Sequence, residues 1–131
     1  MSHRYITSGP GVPPAGAPYS AAVVAGDHCY ISGQVATDPE TGEILHGTAQ
    51  DEIRVALTNL LAIARAAGFA PNEFVYVQIL LADMEDFSAI NEVYETFFPA
   101  DARPARMCTQ AGDLPVGARV EVQATAVKRS A

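Results

Sequence analysis

The sequence predicts an α+β domain built from one β-sheet with its helices on a single side. Three observations lead there. Short runs rich in β-branched and aromatic residues alternate with two stretches of helical period. Pro, Gly and Asp clusters separate these stretches. The last run alternates so that only one of its faces is apolar. A chain of 131 residues with 49% hydrophobic content can bury one core, so residues 1–131 are taken as one domain.

The elements follow in order. Tyr5-Ile6-Thr7 reads as a short strand before a Pro- and Gly-rich lead-in over residues 8–18. Ala21 to Ala25 and His28 to Ser32 flank Gly26-Asp27, the pattern of a hairpin. Asp38-Pro39-Glu40-Thr41-Gly42 forms a further turn, with Pro early and Gly late. Thr48 to Ala67 is a helix. Thr48 caps it, Asp51 favours its start, Ile53, Leu57, Leu60, Leu61 and Ala64 keep the period, and Gly68 ends it. Phe74 to Leu81 is a covered strand, with Val75, Val77, Ile79 and Leu81 on one face and Phe74, Tyr76 and Leu80 on the other. A second helix runs from about Asp86 to Phe98, with Phe87, Ile90, Tyr94 and Phe97 as its buried stripe. One strand begins near Ala105, and another covers Arg119 to Lys128. In the latter, Val120, Val122, Ala124 and Ala126 face the helices, while Arg119, Glu121, Gln123 and Thr125 point away.

Two helices cover one face of such a sheet. The strand at Phe74 is apolar on both faces, so its second face calls for a partner, and a homo-oligomer is expected. The formal net charge of -7 repels phosphate backbones, and the eight Lys and Arg are scattered, so nucleic acid is not an expected partner. No apolar run spans a bilayer, and Met1-Ser2-His3-Arg4-Tyr5 lacks a secretion profile, which predicts a cytoplasmic protein. Cys29 and Cys108 read as reduced interior thiols. His3, His28 and His46 have no ligand-like spacing, so no metal site is expected.

Arg106 and Glu121 are the residues with chemical promise. Placed on neighbouring strands, they make a two-part tool. A guanidinium holds a carboxylate by two charge-assisted bonds, and a glutamate orients water or carries a proton. Each has a plainer reading: an interface salt bridge for Arg106, and a solvated strand-face carboxylate for Glu121. Cys108 shares a strand face with Arg106 and borders the same pocket, with no histidine placed to activate it. Met107 alternates away from both and packs behind the strand.

Several segments resemble the RidA family of reactive-intermediate deaminases, also called YjgF-type proteins. They are Arg103 to Cys108, Leu114-Pro115 and Val120 to Val127, with Ala17-Pro18-Tyr19-Ser20, Ile31-Ser32-Gly33-Gln34, the Asp38 to Gly42 turn, and Asp86 to Tyr94. The resemblance implies a chorismate-mutase-like fold with a single mixed sheet, assembled as a homotrimer with active sites between subunits. It implies cofactor-independent hydrolysis of enamines and imines, chiefly 2-aminoacrylate and 2-iminopropanoate, to pyruvate and ammonia. By the same resemblance Arg106 binds the substrate carboxylate, Glu121 places the attacking water, and Tyr19, Ser32, Gly33, Asn91 and Cys108 line the pocket. Ala17, Ala21 and Met107 depart from the family pattern. Three alternatives stay open: a deaminase of a larger enamine acid such as 2-aminomuconate, a non-catalytic small-acid binding module, and the ribonuclease role attached to some relatives.

Overall fold

A computed structural model describes residues 2–129. Eight main elements follow the chain: β1 (Arg4–Ile6), β2 (Ala22–Ala25), β3 (His28–Gln34), α1 (Ala49–Ala66), β4 (Phe74–Leu81), α2 (Phe87–Tyr94), β5 (Ala105–Gln110) and β6 (Val120–Val127). They form one six-stranded mixed sheet in the order β1-β2-β3-β6-β4-β5, with both helices against it. No helix among the described residues is long and apolar enough to cross a membrane.

Local chemistry explains most boundaries. Gly26 takes φ 61°, which lets the β2–β3 hairpin close in two residues. Thr48 accepts from the Asp51 amide at 3.1 Å while the Asp51 carboxylate accepts from the Thr48 amide at 3.3 Å, closing a capping box on α1. Gly68, at φ 90°, turns the chain out of that helix. The core lies between α1, α2 and one sheet face, where Ile53, Leu57, Leu60, Val77, Ile79, Val120 and Val122 are fully buried.

Two expected details are corrected. Val75 is not on the helix-facing side of its strand: it is 46% exposed. The β4–β6 register shifts between Phe74 and Tyr76, so Val75 is an extra residue and Phe74 takes the buried position. The second helix ends at Tyr94, short of Phe98. Beyond it, the Thr96 and Phe97 amides bond back to Val93 and Tyr94, three residues earlier. This tighter winding turns Phe98 fully into the core against Phe74 and Tyr94, while Phe97 packs half-buried against its edge.

The feature that governs the site is the β4–α2–β5 crossover. β4 and β5 are parallel, with Val77 beside Arg106 and Ile79 beside Cys108. Paired residues share a sheet face. Val77 and Ile79 point at the helices, so Arg106 and Cys108 do too. β6 pairs with the other edge of β4, with Leu80 beside Glu121. Glu121 therefore lies on the face away from the helices. Arg106 and Glu121 are not on neighbouring strands: β4 runs between their strands, and the sheet separates their side chains. Met107 does alternate away from Arg106 and Cys108: it is 40% exposed on the open face, beside Gln78.

Candidate active site

The seven residues singled out from the sequence fall into two groups. Tyr19, Ser32, Gly33 and Glu121 line one cavity of about 680 Å³, together with Val116 and Gln123. Arg106 and Asn91 line a second cavity of about 320 Å³ at the α2–β5 edge, with Tyr94 and Arg103. Cys108 stands near Arg106, packed on the edge of the core. Burial pushes its thiol upward in pKa, and the Arg106 charge only partly offsets this, so it is not an activated nucleophile.

In the first cavity, Ser32 on β3 donates its hydroxyl to the Ser20 carbonyl at 2.7 Å, and its amide bonds the Ala21 carbonyl at 2.9 Å. These bonds tie the loop carrying Tyr19 to the sheet. Gly33 supplies space. A methyl group built there would stand 2.7 Å from the Glu121 Oε2 atom. Burial raises the Glu121 pKa above the ordinary carboxylate value. A carboxylate so placed holds and releases a proton more readily near neutral pH than a solvated one.

Gly33→Ala tests that fit. The obstructed atom is the end of a flexible side chain, so the fold should survive while the carboxylate is displaced. We expect an unchanged melting temperature and a turnover lowered by about 10- to 100-fold. Wild-type turnover would show that the Glu121 position does not matter.

In the second cavity, an Arg106 terminal nitrogen donates to Asn91 Oδ1 at 2.7 Å. The guanidinium carbon lies 4.8 Å from the Tyr94 ring centre and 5.5 Å from that of Phe87. Among the described residues Arg106 makes no salt bridge, so its charge is available to an anion. Within one chain, then, Arg106 has no ion pair, and the interface salt bridge that is its plainer reading would need a second copy.

A larger, shallow depression of about 890 Å³ surrounds the start of α1. It contains none of the seven residues. Its buried carboxylate, Glu52, is occupied by the amides of Arg119 at 2.8 Å and Gly47 at 3.3 Å.

Comparison with known proteins fixes the family. The endoribonuclease L-PSP family model matches residues 11–128. The chain belongs to that family, the YjgF/RidA family. A mouse relative named 2-iminobutanoate/2-iminopropanoate deaminase is 44% identical over 125 residues, covering 95% of this chain and 92% of its own. The crystal structure of RidA from an Antarctic Psychrobacter superposes with a TM-score of 0.89 at 34% identity, over 95% of this chain and 100% of that one. E. coli TdcF with bound serine gives 0.88 at 35% identity, over 96% and 100%.

This RidA-family chain also has site neighbours that read otherwise in the sequence. Phe87 and Tyr94 read only as members of a buried stripe. Their spacing with Asn91, four residues and then three, puts all three on one helix face, and that was the available signal. Val116 gave no signal. It lines the Glu121 cavity with φ 55°, a left-handed conformation that a β-branched residue adopts under strain. Val116→Asn should raise stability by about 1 kcal/mol in a denaturant titration. An unchanged or lower midpoint would show that the turn is not strained.

Proposed function

We propose that the protein hydrolyses imines of small 2-amino acids, with 2-iminopropanoate and 2-iminobutanoate as the substrate class. The observation that carries this is the pair of half-sites. One offers a guanidinium with no anionic partner, and the other a half-buried carboxylate beside an open cavity. The mouse relative's name points to the same chemistry.

Arg106 binds the substrate carboxylate with its planar fork and thereby fixes the adjacent C=N carbon. Glu121 takes a proton from water as the oxygen attacks that carbon and passes it to the imine nitrogen, giving a carbinolamine; it then moves the hydroxyl proton to the same nitrogen, which leaves as ammonia. The C–O bond forms, the C–N bond breaks, and the products are a 2-oxo acid and ammonia. Water is the one co-reactant this balance requires.

The two half-sites lie on opposite sides of one sheet, so a substrate of a few atoms cannot span them within a chain. A second copy brings its Arg106 edge to the Glu121 cavity of the first, and a closed ring of three repeats the contact. The exposed Tyr30, Tyr76 and Met107 support such a covered face. The RNA-directed activity in the family's description fits the chain poorly, because eight basic residues face fifteen acidic ones.

A coupled assay tests the activity. A pyridoxal-phosphate dehydratase generates the imine from serine or threonine, and ammonia release is followed with and without this protein. Faster release, proportional to added protein, is expected. Release at the uncatalysed rate at every protein concentration would sink the proposal.

A further inference from the structure

Tyr94 has two chemically distinct parts, and the structure uses them unequally. Tyr94 is buried, with a relative exposure of 6%. Its hydroxyl has no hydrogen-bond partner, the single buried side-chain polar atom so placed among the described residues. An unpaired buried hydroxyl carries a penalty. Burial also pushes its pKa up to about 12, with Arg106 and Arg103 opposing the shift, so the oxygen stays protonated. The ring is well used. It contacts Phe98 at 5.1 Å between centroids and stands 4.8 Å from the Arg106 guanidinium carbon.

Phe87 places a second ring 5.5 Å from the same carbon. Both rings and Asn91 come from one face of α2, so one helix sets all three contacts. Aromatic faces attract a cation and favour a flat guanidinium packed along them. Asn91 engages one terminal nitrogen at 2.7 Å, which sets rotation about the guanidinium axis. The rings restrain the plane.

We propose that Phe87 and Tyr94 are positioning residues that form an aromatic cradle for Arg106, using their ring faces and not the Tyr94 hydroxyl. Arg106 is thereby pre-organised to take a carboxylate with little loss of side-chain freedom. The ligand arm of the test rests on the proposed function; the spectroscopic arm does not.

The variants are Tyr94→Phe, Tyr94→Leu and Phe87→Leu. The first keeps the ring and removes the orphan hydroxyl. The second keeps apolar bulk and removes the ring. The third removes the other ring at a half-buried position, where repacking of the core is smallest. NMR of the arginine Nε–Hε groups, with Arg106 assigned by its absence in Arg106→Lys, reports whether the guanidinium is ordered on the ps–ns scale. It should be ordered in wild type and Tyr94→Phe, and mobile in both leucine variants. Titration with 2-oxobutanoate should give about tenfold weaker binding for each leucine variant, and within about twofold of wild type for Tyr94→Phe. In the imine assay the leucine variants should raise KM more than they lower kcat, because the carboxylate contact persists from ground state to transition state.

An ordered Arg106 in both leucine variants would overturn the cradle. So would a Tyr94→Phe variant as impaired as Tyr94→Leu, since the hydroxyl would then matter. If wild type binds no 2-oxo acid yet the NMR pattern holds, the cradle stands and the proposed substrate class falls.

Discussion

Arg106→Lys should lower kcat/KM for imino acids by about 100-fold or more while leaving the melting temperature close to wild type. Lysine keeps the charge and loses the fork, so one of two charge-assisted bonds disappears and the other loses its direction. Arg106 lies half-buried on the edge strand of the sheet, and lysine keeps its charge and apolar stem, so the fold should tolerate the change. A lysine variant with wild-type kcat/KM would remove the fork from the mechanism. The same residue gives a test of the proposed shared site. Arg106→Ala and Glu121→Gln chains should each be close to inactive alone. Unfolded and refolded together, they should regain about a quarter of wild-type activity, the share of random interfaces that receive both intact groups. A site confined to one chain would regain nothing, because no single chain in the mixture carries both.

Glu121→Gln should have an effect of similar size with a different signature. Loss of a proton carrier lowers turnover by about 100- to 10,000-fold, and glutamine still fills the space beside Gly33. Stability should move the other way. Burial raises the Glu121 pKa in the folded chain, so folding favours the protonated form. That contribution is complete below the unfolded carboxylate pKa and is lost as pH rises through the folded value. At neutral pH the ionised group burdens the fold, and the neutral amide does not. Urea titrations at several pH values should show Glu121→Gln more stable than wild type at pH 7, with the gap closing as pH falls below the ordinary glutamate pKa of about 4.3. Equal stability of the two at all pH values would show that the carboxylate is freely solvated.

Local elements were legible in the sequence because their causes are local. Thr48, Asp51 and Gly68 bound α1 through caps that span a few residues. The alternation of Val120 to Ala126 names the buried face of β6 directly. Strand order is a different matter. Nothing in residues 105–127 states that β4 inserts between β5 and β6, because that arrangement comes from β4 pairing in parallel with β5 on one edge and antiparallel with β6 on the other. The separation of Arg106 from Glu121 follows from that pairing. The register shift at Val75 was equally hidden, since an extra residue leaves the apolar run unbroken. The family resemblance named the residues, and the topology then divided them between two cavities.

Two opposite charges that a β-sheet holds apart cannot quench one another inside the same chain. Under the proposed shared site, a solitary subunit is inert toward imines, and removing one copy from a ring of three silences the two crevices it helps to build.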